Sequence, residues 1–353
     1  MKRSSKYVAL DVHQATAAAT VRERSGRVIH RAILPTEAVA LVEFFRGMRG
    51  SVHVVFEEGT QAQWLHDLLV PVVDQVVVCG RRGERRGNKS DRVDADRLSQ
   101  RLLSGELRAV YHGSRDRLTL QELSRAYTNL VEDSTRTMLR LKALYRARAI
   151  GASGRSIYNP EHQQEWLDRL PDRGARLRAE ALYAQLVVAQ ELRPRAKVAM
   201  MAEARRDPAW NTLCSIPFYG PVRVALILAT MKSPWRFRSK RNLWAYGGLA
   251  VVTESSSDHE FVAGRAVRRR RRPLTRGLNR NHNRILKNVF KAAAASSLAQ
   301  PGSFRDLYDG MIARGMRPEM ARLTLARKFA ALTLRLWKKG ERYDPTKLTV
   351  RPD

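Results

Sequence analysis

Across its N-terminal third this chain alternates between two apolar rhythms, and that alternation restricts its fold more than any other feature of the sequence. Tyr7 to Val12 (YVALDV) is a short apolar run, and Thr16 to Arg22 reads as a second strand. Ser25-Gly26 is a turn signal, after which Val28 to Leu34 reads as a third strand. Glu37 to Met48 changes rhythm: Ala38, Leu41, Phe44 and Phe45 recur at the spacing of one helix face. Val52 to Phe56 then predicts a strand, Gln61 to Leu69 a short helix and Gln75 to Val78 a strand. A further helix follows, with Ser90 as its cap.

Strand, strand, strand, helix, strand, helix, strand, helix is the order of a ribonuclease-H-like (RuvC-like) domain, a mixed sheet with helices on its faces. From about Arg115 to about Arg205 the strand signals vanish. Leu118, Leu120, Leu123, Tyr127, Leu130, Met138, Leu141 and Leu144 recur at helical steps. A break over Gly151 to Pro160 precedes a second helical stretch, Glu161 to Arg205. Two long helices joined by a turn predict a coiled-coil arm, with an ordinary helical bundle as the alternative. Beyond about Asp207 the chain reads as mainly helical, with stretches at Trp210 to Met231, Asn281 to Ser297 and Pro318 to Trp337. The expected organisation is α/β plus α: a mixed-sheet domain over 1–113, a helical arm over 114–206 and a mainly helical domain over 207–353.

Charge narrows the partner. Lysine and arginine number 65 against 34 aspartates and glutamates, a formal charge of +31 over 353 residues. Such a chain repels itself unless its partner is a polyanion, which points to nucleic acid. A membrane is not expected: no uncharged apolar stretch is long enough to span one, and the N-terminus lacks the apolar core of a signal peptide. Cys79 and Cys214 are the only cysteines, which fits a reducing, cytoplasmic setting.

Four carboxylates stand at the ends of expected elements. Asp11 closes the first strand (VALDVH) and Glu57 closes the fourth (VHVVFEEGT). Asp91 and Asp94 (KSDRVDADRL) lie at i and i+3 of a helix, on one face, whereas Asp96 is expected on another face, in solvent. Glu58 competes with Glu57, but strand alternation turns it to the opposite side. Gathered together, four carboxylates repel one another until a divalent cation with a preference for hard oxygen ligands, Mg²⁺ above all, offsets their charge. Taken singly, a strand-end aspartate is usually a turn residue, and Asp-x-x-Asp is usually a solvated first helical turn. Their order across one fold is what favours a metal site for phosphodiester chemistry.

The ordered set ALDVH, FEEGT and KSDRVDA resembles the Asp-Glu-Asp-Asp tetrad of a group of bacterial insertion-sequence transposases, the bridge-RNA-guided recombinases of the family numbered one hundred and ten. The resemblance runs over almost the whole chain. LCSIPFYGPVRVALILATM is similar to the family's Ile-Pro-Gly-x-Gly-Pro hairpin between helices, and FRSKRNLWAYGGLAVV to the Gly-Leu segment that follows. TESSSD resembles the stretch holding the family's catalytic serine, which falls on Ser256, with Ser255 and Ser257 as neighbours that could replace it. RRRRRPLTRGLNRNHNRILKNVFKAA resembles the basic helix after it. Phe218 and Tyr219 depart from the family pattern, standing where the hairpin usually has smaller residues. This bulk is expected to hold a DNA backbone further off. Ala250-Val251 stands where a proline usually follows Gly-Leu.

The resemblance implies an enzyme: Asp11, Glu57, Asp91 and Asp94 hold Mg²⁺, and Ser256 attacks a DNA phosphodiester and becomes linked to the cut end. It also implies double-stranded target and donor DNA as substrates, a structured non-coding guide RNA as partner, and a tetramer built from dimers through the arms. The arginines are read from composition. Arg81, Arg82, Arg85 and Arg86 lie in a glycine-rich loop (CGRRGERRGNK), and Arg268, Arg269, Arg270, Arg271 and Arg272 form an unbroken run followed by Arg276. A guanidinium grips phosphate bidentately, so both segments are candidate nucleic-acid contacts, the alternative being solvated loops. Trp210, Trp235 and Trp244 are expected in the core rather than against bases. Two rival functions keep the same residues: a junction-resolving endonuclease using activated water, and a non-enzymatic nucleic-acid-binding protein.

Overall fold

The computed structural model describes residues 5–80, 91–107, 109–112, 117–254, 259–262, 265–268 and 274–347. For 91–94, 253–254, 259–262, 266, 268, 274–276 and 347 it describes the backbone alone. The chain divides into two compact units, Met1–Ser114 and Arg115–Asp353.

The first unit is built on a five-stranded sheet. Its strands are β1 (Ser5–Val12), β2 (Thr16–Glu23), β3 (Val28–Pro35), β4 (Ser51–Glu57) and β5 (Gln75–Cys79), in the spatial order β3-β2-β1-β4-β5. The first three are antiparallel, joined by tight turns; Gly26, at φ 89°, supplies the left-handed residue for the β2–β3 turn. β4 and β5 are parallel to β1 and to each other. Parallel neighbours need crossovers, which α1 (Ala38–Arg46) and α2 (Ala62–Leu69) provide.

Central strands of such a sheet are buried on both faces, which is why β1 and β4 read as apolar runs instead of alternating cleanly. Val8, Leu10, Val54 and Phe56 pack with Leu41, Phe45, Leu65 and Leu69 of α1 and α2. Ala9, Val55 and Cys79 point to the other face and pack against Leu98 of α3 (Asp91–Leu103). Every strand and helix expected in this unit is present, in the expected order. This mixed α/β unit, together with the helical remainder of the chain, fits a ribonuclease-H-like domain followed by a helical part.

The second unit opens on α4 (Leu118–Arg146), followed by α5 (Gln163–Asp168) and α6 (Arg173–Ala204). The expected single stretch from Glu161 is divided: α5 ends before Pro171, and α6 starts afresh with Asp172 as its cap, accepting from Ala175 N at 2.6 Å. Leu141, Leu144 and Tyr145 of α4 meet Ile157, Trp166, Ala179, Leu182 and Tyr183 in a small core where the chain turns back.

A larger core holds α7 (Trp210–Cys214), α8 (Pro221–Met231), α9 (Lys240–Tyr246), α10 (Arg284–Ser296), α11 (Ser303–Ala313) and α12 (Pro318–Lys339). Leu120, Met200 and Ala204, at the base of α4 and α6, belong to this core, so the long helices are continuous with it. α8 is apolar nearly all round and lies inside, with Val224, Ala225, Ile227 and Leu228 fully buried.

Two features of this region exceed the expectation from sequence. Helix α11 is not predicted by the sequence pattern, because Gly310 and the polar Arg305, Asp306 and Asp309 blur its periodicity. Between α9 and α10, where only a short segment and an arginine run were read, lie four short strands: β6 (Val251–Glu254), β7 (His259–Val262), β8 (Arg265–Arg268) and β9 (Leu274–Leu278). β6 pairs with β9 and β7 with β8, both antiparallel. Strands this short carry too few alternations to register as a period.

Candidate active site

Asp11 and Glu57 are brought together by strand register. In the parallel pair β1–β4, Leu10 stands beside Phe56, so the next positions along the two strands are Asp11 and Glu57. Adjacent strands lie about 4.8 Å apart. Alternation from Ala9 and Val55 puts both carboxylates on the sheet face that α3 covers, and Glu58, one residue on, is exposed beyond the strand. Glu57, and not Glu58, therefore shares that face with Asp11.

Asp11 is 25% exposed, and its Oδ2 lies 3.5 Å from His13 Nε2. His13 stands just past the end of β1, two positions after Asp11 in ALDVH, a spacing that carries it back to the side of Asp11. Glu57 is the ladder partner of Cys79, whose thiol is pushed up by burial and then by the Glu57 charge, with Arg101 opposing.

Asp91 and Asp94 lie in the first turns of α3, seven and four residues ahead of Leu98, which seats the helix on the sheet. The helix direction is set by its later residues: Ser99 meets Arg22, and Leu103 approaches Gly26, at the far end of β2 from Asp11. The backbone at 91–94 therefore belongs to the end of α3 nearer the carboxylate ends of β1 and β4.

Asp96 corrects an expectation. It is not a solvated surface residue: Arg31 Nη2 donates to its Oδ2 at 2.8 Å, and Arg22 Nη2 lies 3.7 Å from its Oδ1. Burial raises its carboxyl, but Arg31, by hydrogen bond and charge, and Arg22 outweigh that and hold it below the ordinary carboxylate range. Arg22 also donates through Nε to Ser99 Oγ at 2.7 Å. Asp96 and Ser99 thus tie α3 to β2 and β3.

Two hard-oxygen donors on one sheet face suit a divalent cation. Among the described residues no group of three or more His, Cys, Asp or Glu side chains is assembled.

Ser256 lies outside the described residues, as do Ser255 and Ser257, the loop arginines Arg81, Arg82, Arg85 and Arg86, and Arg269, Arg270, Arg271 and Arg272. Arg268 ends β8 and Arg276 lies within β9, described as backbone. Glu254 pairs with Leu274, and His259 pairs with Arg268.

The hairpin departures resolve inward. Phe218 adopts φ 65°, the left-handed region where glycine is usual, and its ring packs edge-on to Phe304 and Phe329. Tyr219 is 4% exposed, stacks on Phe329 and shares a 2.8 Å hydrogen bond with Thr333 Oγ1. Its bulk goes to the core and not toward a ligand. Trp210 and Trp244 are partly buried against the same core, but Trp235 is 72% exposed, contrary to expectation.

The sheet order and the paired strand-end carboxylates are those expected of a ribonuclease-H-like phosphodiester-processing domain. Comparison with known proteins agrees with that class. Residues 8–147 match a transposase family model named for the DEDD residues of IS110, and residues 211–309 match the model of the transposase IS116/IS110/IS902 family. The chain belongs to this family of transposases. A Streptomyces coelicolor protein described as an uncharacterized 43.6 kDa protein of insertion element IS110 is 29% identical over 164 residues. That match spans 46% of this chain and 37% of the relative.

Proposed function

We propose that this chain is the DNA transposase of a mobile insertion sequence, acting in a bacterial cytoplasm and guided by a structured non-coding RNA to double-stranded target and donor DNA. The observation that carries the catalytic part is the placement of Asp11 and Glu57 on adjacent parallel strands, on the face covered by the helix that bears Asp91 and Asp94. These four residues are the ligands for Mg²⁺. Bound there, the ion supplies a Lewis acid that lowers the pKa of an attacking hydroxyl and offsets phosphate charge.

Ser256 is the nucleophile. Its Oγ forms a bond to phosphorus, the bond from phosphorus to the leaving sugar oxygen breaks, and that oxygen takes up a proton as the serine loses its own. The charge of +31 supports a polyanionic partner, and the arginines of 81–86 and 268–276 are its phosphate contacts. Among the described residues no helix is long and apolar enough to cross a membrane.

The arm over 114–206 is the self-association element, a coiled coil that builds dimers and then a tetramer. In its favour, α4 and α6 run 29 and 32 residues and leave Leu139, Leu177, Val187, Val188 and Val198 exposed.

The test is trapping. Protein, guide RNA, duplex DNA and Mg²⁺ are mixed and denatured, and DNA covalently attached to protein is sought. An adduct is expected, absent in Ser256→Ala and in Asp11→Asn. Cleavage without an adduct, undiminished in Ser256→Ala, would favour the endonuclease that uses activated water. Unchanged recombination in Asp11→Asn would remove the metal-site reading.

A further inference from the structure

The surface around Trp235 has features that the catalytic reading does not use. Trp235 sits in a single 3-10 turn, Pro234–Arg236, between α8 and α9. The turn is stiff: Pro234 is buried and fixes the backbone, and Ser233 Oγ accepts from Trp235 N at 3.2 Å. The indole nevertheless stands 72% exposed, whereas its neighbour Phe237 is buried. Lys338 of α12 lies over the ring, its Nζ 5.2 Å from the centroid, and that ammonium is held in place by donating to Phe237 O at 2.7 Å. The ring and its cation are therefore both positioned in advance, so little rotamer freedom is left to lose on binding.

The chain around the ring is one-sided in charge. Between Lys232 and Thr253 the chain carries Lys232, Arg236, Arg238, Lys240 and Arg241 and no aspartate or glutamate. Arg238, Lys240 and Arg241 are exposed. A rigid, solvent-facing aromatic ring set among cations is what a stacked base beside its phosphates requires. A duplex conceals its base faces, so only an unpaired nucleotide presents the surface this ring accepts.

We propose that Trp235 is a stacking platform for an unpaired base of single-stranded DNA, with Lys338 fixing the ring and the cations of 232–241 holding the flanking phosphates. DNA is favoured over RNA because the chain's family acts on DNA. The proposal rests on the transposase reading for the premise that the partner is DNA, and it makes no use of the carboxylates or Ser256.

The test is fluorescence anisotropy on the full chain, with labelled single-stranded DNA, RNA of the same sequence and a DNA duplex. Trp235→Ala is expected to weaken single-strand DNA binding by roughly 5- to 100-fold and duplex binding by less than about two-fold. Trp235→Phe should restore most of the loss. Because the ring is exposed, the circular dichroism spectrum and the elution volume on gel filtration should not change. Single-strand affinity within about two-fold of wild type in Trp235→Ala overturns the proposal, as does an equal loss on duplex. A larger loss on RNA than on DNA overturns the assignment to DNA, and an altered elution volume makes the ring a contact between copies instead. If Asp11→Asn still cleaves DNA, the metal-site reading falls while the Trp235 result stands. If Trp235→Ala binds as wild type while trapping succeeds, this proposal falls alone.

Discussion

At the scale of single residues, two positions in the family's motifs have clear physical duties. Gly248 adopts φ 64°, and a Cβ built on it would lie 2.5 Å from the ring of His282, whose Nδ1 is itself fixed 2.7 Å from Asn279 O. Gly248→Ala therefore combines a backbone penalty with a clash against an immobile ring. It should destabilise the chain by about 2–4 kcal/mol, read as a fall in the urea midpoint at unchanged slope. Tyr219→Phe keeps the stack on Phe329 and removes the buried hydroxyl that pairs with Thr333 Oγ1 at 2.8 Å and, more weakly, with Phe329 O at 3.4 Å, while Thr333 still donates to Phe329 O at 2.9 Å. A loss of about 1 kcal/mol is expected by the same measurement. Glycine at 248 could be read from the sequence as a turn signal; that a histidine 34 residues later occupies the space of its missing side chain could not.

At the scale of elements, helix α3 depends on ion pairs to keep its register. Arg31, 65 residues before Asp96 in sequence, and Arg22 hold Asp96, and Ser99 backs them. The Asp96 carboxyl is more acidic in the fold than in the unfolded chain. Its contribution is therefore complete above the unfolded value of about 4 and is lost as pH falls through the lower folded value. Asp96→Asn should lower the urea midpoint at neutral pH, and the gap from wild type should close as the medium is acidified below about pH 4. The same substitution should weaken cleavage without changing any of the proposed metal ligands, because α3 carries two of them, Asp91 and Asp94. In the arm, Val188→Glu together with Val198→Glu places charge on exposed apolar positions. The proposed oligomer is expected to dissociate, seen by light scattering, with helix content unchanged. α4 and α6 were legible because 29- and 32-residue helices repeat their pattern many times; β6 to β9, of four or five residues each, do not.

At the scale of the whole molecule, the governing quantity is the +31 charge. A folded chain that repels itself gains from any polyanion that binds the folded form alone. Short duplex DNA at about a hundred times its Kd should stabilise the chain by about 2.7 kcal/mol, and added salt should erode that gain. Thermal melts with and without DNA, at low and high salt, would show it; a melting temperature indifferent to DNA at low salt would count against nucleic acid as the natural partner.

The sequence by itself determined the order of strands and helices in the first unit, the strand-end positions of Asp11 and Glu57 and the polyanionic character of the partner. Period-two and period-3.6 apolar patterns and net charge are local or additive properties, so they survive without a fold. Only the tertiary structure decided that Asp11 stands beside Glu57, that Asp96 is anchored and not solvated, that the bulk of Tyr219 turns inward and that Trp235 faces solvent. Each of these depends on which distant residues share a neighbourhood, and that is settled by packing, where burial and ion pairing act across the chain and not along it.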